Sequence, residues 1–107
     1  MSKTITPEEL NNVLKEKKDI LILDVRRRAD YEADPKIIPG AIWRDPENVY
    51  QWSGELPKGK YIVIYCVRGG SVSKSVASRL MEQNLQVSYI EGGITAWKEL
   101  GGEVDGR

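Results

Sequence analysis

Cys66 is the only cysteine in the sequence and its strongest candidate for chemistry. It ends the most β-prone run of the chain, residues 61–66, and a glycine-containing loop and a helical pattern follow it. Ligands of open α/β sheets bind beyond the carboxyl ends of the strands, so this position predicts a site. The alternative is a small buried hydrophobe, the commonest role for a lone cysteine at the end of an apolar strand.

The residues that follow Cys66 favour an anion site. Gly69-Gly70 lets the backbone turn tightly enough for successive N–H groups to converge, and a helix that begins near residues 71–73 adds the positive end of its dipole. Converging N–H groups and the helix N-terminus together stabilise a thiolate without a histidine base, and Arg68 adds a fixed positive charge. The two glycines alone would indicate only a strand-to-helix turn. With the cysteine and the serines, they predict a nucleophile in an anion-binding loop.

Composition excludes most other catalytic chemistry. The 107 residues include one cysteine and no histidine, which rules out Ser-His-Asp triads, Cys-His pairs, four-thiolate zinc sites and an intrachain disulfide. We therefore expect no metal and no cofactor. Sixteen basic residues balance sixteen acidic ones, so no excess charge favours nucleic acid or an anionic membrane. The apolar runs are shorter than the roughly 20 residues that span a bilayer, and a lone thiol predicts a cytoplasmic protein.

The elements that position the loop alternate between helix and strand, and the length suits one domain. Thr6, Pro7 and Glu9 form a capping box with proline at the first helical position, which predicts a helix start. Residues 19–25 contain the continuous apolar run 20–23 and show no alternation, which is typical of a parallel strand covered on both faces. Prolines and glycines between Arg26 and Pro57 allow only short pieces, which we place at residues 30–33, 41–43 and 46–51.

The second half of the chain is more regular. Apolar residues at helical spacing predict an amphipathic helix from about residue 71, followed by a strand at 86–90, a turn at Gly92-Gly93 and a last helix at 94–100. The glycine-rich tail from about residue 101 is expected to be loose. The whole pattern predicts an α/β sheet with helices on both faces.

Four motifs, in this order, make the sequence resemble the rhodanese family over most of its length. Any one alone is weak, but the combination at these spacings is specific to a single-domain member. The resemblance implies one rhodanese-like domain over residues 1–107, an α/β fold with a five-stranded, mostly parallel sheet flanked by helices on both faces. The motifs are Asp24-Val25-Arg26, Ile38-Pro39-Gly40-Ala41, Cys66-Val67-Arg68-Gly69-Gly70-Ser71 and Glu91-Gly92-Gly93-Ile94-Thr95-Ala96-Trp97.

The resemblance implies a thiosulfate sulfurtransferase. Cys66 would take the sulfane sulfur of thiosulfate or a similar anionic donor as a persulfide, releasing sulfite, and pass it to cyanide or a thiol. Thioredoxin or another sulfur-relay protein is a possible acceptor partner. The loop amides would stabilise the anions, and Arg68 would bind the donor, its alternative being an exposed loop arginine. The substrate-binding residues would then be Val67, Arg68, Gly69, Gly70, Ser71 and Val72.

Three further residues are expected to support the site without touching sulfur. Asp24 and Arg26 would fix the neighbouring loops through a charge pair or backbone hydrogen bonds. Ser73, like Ser71, would donate a hydrogen bond or simply cap the helix. Among the tryptophans, Trp97 is expected in the core, and packing is favoured over a place in the site wall for Trp43 and Trp52.

Departures from the family pattern bear on the substrate. Lys36-Ile37 stands where many relatives have Gly-His, and Arg27-Arg28 follows the first motif in place of an acidic residue, which makes the entrance more basic. The loop also lacks the Gly-Ser/Thr-Gly pattern of mercaptopyruvate-specific members. These features favour thiosulfate as the donor.

Two other functions remain open. A cysteine phosphatase or arsenate reductase needs Cys-x5-Arg, but the sixth residue after Cys66 is Val72, which has no guanidinium to hold phosphate. A non-catalytic interaction or redox-sensing module is the other alternative, and a sensor would have to find its resolving thiol in another molecule.

Overall fold

The computed structural model describes residues 3–16 and 19–105. Five strands form one sheet in the order β1-β5-β4-β2-β3, and all four strand pairings are parallel. The α/β class and the five-stranded sheet expected from the sequence are confirmed, and β4 is the central strand as predicted. The strands are β1 (Lys3–Ile5), β2 (Ile20–Asp24), β3 (Ile42–Trp43), β4 (Tyr61–Tyr65) and β5 (Gln86–Ile90).

In the described part of the chain four helices lie between strands, and a fifth follows the last strand. The predicted capping box starts the first of them: the Glu9 N–H donates to Thr6 Oγ1 at 3.0 Å and the Thr6 N–H donates to Glu9 Oε1 at 2.9 Å. Short 3-10 turns flank the third at Pro46–Asn48 and Ser53–Glu55. The helices are α1 (Pro7–Lys15), α2 (Arg28–Ala33), α3 (Val49–Trp52), α4 (Ser71–Glu82) and α5 (Gly93–Glu99).

Each face of the sheet carries its own hydrophobic core. Leu23, Ile62 and Ile64 point into one cluster, which they share with residues of α3 and α4. Ile22 and Val63 point into the other, which holds residues of α1 and α5. Because successive strand residues face opposite sides, covering both faces requires apolar residues at every position. This is why the sequences of β2 and β4 do not alternate.

The segment after α5 differs from the loose tail that the sequence predicts. Ile37 and Asp105 exchange backbone hydrogen bonds at 3.0 and 2.7 Å, and the indole of Trp97 donates to the Glu103 carbonyl at 2.8 Å. Trp97 is 1% exposed, so its N–H needs an acceptor within the protein, and the segment supplies one. Residues 101–105 are therefore docked on the domain, and the last two residues lie outside the described part.

None of the helices in residues 3–16 and 19–105 is long and apolar enough to cross a membrane. The longest of them, α4, has 12 residues, and most of its polar side chains are exposed.

Candidate active site

Cys66 follows the last residue of β4, at the edge of the sheet where the parallel strands end. Its thiol is free and buried, with 5% of the residue exposed. In the strand register Asp24 of β2 lies opposite Tyr65, and the Val25 N–H donates to the Tyr65 carbonyl at 2.8 Å. The loops that follow β2, β4 and β5 therefore meet around one cysteine, as the switch-point rule for open α/β sheets predicts.

The N-terminus of α5 holds the backbone of the cysteine loop. The N–H groups of Ile94 and Thr95 donate to the carbonyls of Cys66 and Val67, both at 3.0 Å. Gly93, at φ +62°, has no room for a side chain, since a Cβ there would overlap these two carbonyl oxygens. Glycine is required at this position, because the two backbones approach too closely for any other residue.

Gly69 turns the loop toward α4. Its φ of +71° lies in the left-handed region, and a Cβ there would sit 2.8 Å from the Ile90 carbonyl oxygen and 2.9 Å from the Gly92 nitrogen. Gly70 is the N-cap residue of α4, and no side chain forms a capping hydrogen bond at this helix start. The first helical hydrogen bond runs from the Lys74 N–H to the Gly70 carbonyl at 3.1 Å. The glycine pair thus brings the chain from the strand into the helix within a few residues of the sulfur.

The loop amides are unused within the described part of the chain. No N–H of residues 67–73 donates a hydrogen bond to another described residue. Such groups at a loop and a helix N-terminus attract anions, because they carry partial positive charge and lack acceptors. In the structure these amides belong to the loop that follows Cys66 and to the first turn of α4. Their role in binding stays a prediction for Val67, Gly69, Gly70, Ser71 and Val72.

Ser73 is the most unusual polar group near the loop. It is fully buried in the first turn of α4, and its hydroxyl has no hydrogen-bond partner among the described residues. A buried hydroxyl without a partner is costly, so it commonly marks a ligand or an ordered water. The capping role that the sequence left open for Ser73 is not the one it has here, whereas Arg68 is exposed and forms no ion pair with any described residue.

Asp24 and Arg26 form a buried pair in the loop next to the cysteine. The Arg26 guanidinium donates to both carboxylate oxygens of Asp24, with Nη2 to Oδ2 at 2.7 Å, and also to the carbonyls of Asp34 at 2.8 Å and Lys36 at 2.9 Å. Burial by itself would lower the pKa of Arg26, but the hydrogen bonds and charge of Asp24 outweigh it and the pKa is raised. The pair ties the segment 34–36 to the end of β2.

Tyr65 connects this pair to the following segment. Its hydroxyl accepts the Ile38 N–H at 3.2 Å. Burial raises the pKa of Tyr65 far above its usual range, and the negative charge of Asp24 adds to the effect. The tyrosine therefore stays neutral and holds the Ile38-Pro39-Gly40-Ala41 motif against the sheet.

The tryptophans pack. Trp97 and Trp52 belong to the two cores, and the Trp52 indole donates to the Asp45 carbonyl at 2.8 Å. Trp43 stacks on Tyr31 with ring centroids 5.0 Å apart and donates to the Arg26 carbonyl at 2.9 Å. None of the three lines the loop of Cys66 in the described contacts.

Sequence reasoning missed the part that α5 plays in the site. The sequence predicts a turn at Gly92-Gly93, but Gly93 is the first residue of α5 and the point where this helix contacts the cysteine loop. The motif from Glu91 to Trp97 was the sequence feature that could have indicated this role. Its residues alone, however, do not show which carbonyls its amides bind. Among the described residues, no group of cysteine and acidic side chains is arranged to hold a metal ion.

Comparison with known proteins agrees with this geometry. The Rhodanese-like domain family matches residues 6–100. Thiosulfate sulfurtransferase GlpE of Coxiella burnetii is 36% identical over 86 residues, which cover 79% of this chain and 78% of that protein. A sulfurtransferase of Allochromatium vinosum is 33% identical over 102 residues, 94% of this chain and 92% of its own.

A solved structure gives the same result for the fold. The rhodanese-like domain protein of Staphylococcus aureus superposes with a TM-score of 0.83 at 28% identity, covering 98% of each chain. The chain belongs to the rhodanese-like family, and its relatives support sulfurtransferase chemistry in general.

Proposed function

We propose that this protein is a thiosulfate sulfurtransferase that carries sulfane sulfur as a persulfide on Cys66. One observation carries the proposal: the cysteine lies at the start of a loop whose amides have no acceptor within the described chain, next to the unpartnered hydroxyl of Ser73. A dianionic donor and a persulfide anion are ligands that such donors would stabilise.

In the first half-reaction the Cys66 thiolate attacks the outer sulfur of thiosulfate. A bond forms between Sγ and that sulfur, the sulfur–sulfur bond of thiosulfate breaks, and sulfite leaves with the electron pair. Cys66 becomes a persulfide anion, so the total charge is unchanged. Arg68 would bind the sulfonate end of the donor, because its exposed guanidinium is free of ion pairs with described residues.

In the second half-reaction a nucleophile takes the outer sulfur and restores the thiolate. Cyanide would leave as thiocyanate, and a thiolate would leave as a persulfide. The amides of Val67, Gly69, Gly70, Ser71 and Val72 would stabilise the negative sulfur in both halves, since they are fixed in place before the reaction.

Asp24 and Arg26 would act as positioning residues. Their pair holds the loop after β2, which contacts the end of β4 through the Val25 N–H bond to Tyr65. A chain with one thiol suits a reducing cytoplasm, where small thiols and thioredoxin-like relay proteins are available as acceptors.

The experiment follows one sulfur atom. The protein is incubated with thiosulfate, its intact mass is recorded, and cyanide is added; Cys66→Ser is treated in the same way. A gain of one sulfur that cyanide removes and that the variant lacks is the expected result. Arg68→Gln should load more slowly, whereas Lys58→Gln, which removes a charge at the opposite end of β4, should load at the normal rate.

The alternatives have their own outcomes. Hydrolysis of an aryl phosphate without any gain in mass would identify a phosphatase and overturn the proposal. The absence of both activities would leave an interaction module. In either case Cys66 would not be a sulfur carrier.

A further inference from the structure

A cavity of about 430 Å³ opens beside the cysteine loop, between α4 and the segment around α3. Ser71 and Val72, where the loop becomes helix, form part of its wall, so the cavity adjoins the proposed sulfur site. Its size is in the range of small-molecule sites and well above what thiosulfate needs. The proposed donor chemistry therefore leaves this space unexplained.

One face of α4 forms the floor of the cavity. Ser71, Ser75 and Arg79 are spaced four residues apart and all line it. Eight residues of helix rise ~12 Å, and a helical side chain leans toward the helix N-terminus, which brings the Arg79 guanidinium closer to the loop. A ligand that reaches from the cysteine loop to Arg79 must therefore have several bonds between its reacting atom and its charged group.

The cavity is positively charged. Arg27 and Arg79 line it from different elements, against a single acid, Glu47. The guanidinium of Arg79 lies 4.5 Å from the ring centroid of Tyr50, which holds it over the cavity, and its ion pair with Glu82 is long, at 3.5 Å. Arg27 is exposed and pairs with no described acid. Guanidinium groups in this arrangement fit a carboxylate.

We propose that this cavity binds the carboxylate end of a peptide-sized acidic thiol, which is the acceptor of sulfur from Cys66. The inference rests on the proposed function and names the acceptor class that the function leaves open. The bound thiolate attacks the outer sulfur of the Cys66 persulfide. A new sulfur–sulfur bond forms on the acceptor, the bond to Sγ breaks with its electron pair staying on Sγ, and the acceptor leaves as a persulfide.

The test compares an acceptor that carries free carboxylates with one whose carboxylates are esterified. Protein loaded with thiosulfate and desalted is discharged with glutathione, with glutathione diethyl ester or with cyanide, and rates are compared at equal thiolate concentration. Glutathione is expected to react about three- to tenfold faster than its ester, the range for a charge-assisted contact at a partly exposed site. Cyanide is too small to need the cavity, so it reports loading and loop chemistry.

Three variants assign the effect to the cavity. Arg79→Gln and Arg27→Gln should each lower the ratio of the glutathione rate to the cyanide rate by about three- to tenfold. Lys58→Gln, which removes the same charge outside the cavity, should leave that ratio unchanged. Arg27 lies in a loop, so its variant keeps the test valid if Arg79→Gln folds poorly.

Each outcome decides a separate question. Loading that fails, or a persulfide that cyanide cannot discharge, overturns the proposed function and this inference with it. Normal loading and cyanide discharge, with the ester as fast as glutathione or the ratio unaltered in both arginine variants, overturns the inference alone.

Discussion

The loops after β2 and β4 leave adjacent strands at the same edge of the sheet, yet they use their hydrogen-bond donors in opposite ways. In the loop after β2 the Arg26 guanidinium is satisfied by Asp24 and by two carbonyls, all inside the protein. In the loop after β4 the amides of residues 67–73 and the Ser73 hydroxyl have no acceptor among described residues.

The difference shows how a structural loop and a binding loop can share one scaffold. The first loop fixes its own shape with a buried ion pair. The second cannot do so without occupying the donors that a ligand needs, so its shape is imposed from outside, by Gly93 and the amides of Ile94 and Thr95. The contrast predicts where substitutions cost stability and where they cost only reaction rate.

The largest effect is expected from removing the external support of the cysteine loop. Gly93→Ala places a methyl group against the carbonyls of Cys66 and Val67, and the alanine must adopt the positive φ of this position. We expect a loss of at least about 4 kcal/mol in the free energy of unfolding, measured by urea denaturation. Gly59→Ala, also at positive φ but with open space around it, should cost about 1 kcal/mol. Equal losses would show that the contact with the loop does not matter.

The internal support of the loop after β2 should come next. Asp24→Asn leaves the Arg26 charge buried without its partner, and we expect about 3 kcal/mol of destabilisation in the same assay. The double variant Asp24→Leu/Arg26→Met removes both charges and should lose less than the single one. A single variant with a loss below about 1 kcal/mol would contradict the assignment of this pair as the brace of the loop.

Two buried serines separate stability from function. Ser53 Oγ accepts the Gln83 Nε2–H at 2.7 Å, so Ser53→Ala should cost about 1 kcal/mol of unfolding free energy and leave sulfur loading intact. Ser73→Ala removes a hydroxyl without a described partner, so stability should stay the same or rise while loading from thiosulfate slows. Unchanged or higher stability of Ser73→Ala together with normal loading would show that Ser73 has no part in the site.

The smallest effect concerns Asp34, whose carbonyl accepts from Arg26 and whose carboxylate pairs with Lys98 of α5. The hydrogen bond from Lys98 lowers the pKa of Asp34 below its usual 3.8, against a smaller opposing effect of burial. A lowered folded-state pKa adds stability above about pH 4 that is lost as the pH falls further.

Asp34→Asn should therefore be less stable than the parent near neutral pH by less than about 1 kcal/mol, because the pair is exposed, and the gap should close in acid. Thermal unfolding across the pH range measures it. Glu103→Gln, which removes an exposed carboxylate that pairs with no described residue, should leave the stability near neutral pH unchanged.

Local patterns in the sequence predicted most of the fold. The apolar runs within residues 19–25 and 61–66 indicated β2 and β4, and the Thr6 capping box marked the start of α1. The two strands bury apolar side chains on both faces, and the lack of alternation between apolar and polar residues shows this in the sequence. The position of Cys66 after the central strand followed from the same reasoning.

Features that depend on distant partners were not predicted from local patterns. β1 has three residues, and its pairing with β5 joins positions more than eighty residues apart in the chain. The docked tail depends on the need of the buried Trp97 indole for an acceptor, and the spacing of Trp97 does not show which carbonyl that is. The role of Gly93 was missed for the same reason. A contact between two backbones involves no side chain, so the sequence gives no local sign of it.

The contact between α5 and the cysteine loop also decides what can be exchanged between relatives by protein engineering. The loop is not an independent cassette, because its first two carbonyls bind amides of Ile94 and Thr95, more than twenty-five residues further along the chain. A chimera that imports residues 66–71 alone inherits a curvature set by its host. A chimera that imports residues 91–95 together with residues 66–71 transfers the cysteine loop along with the amides that hold it in shape.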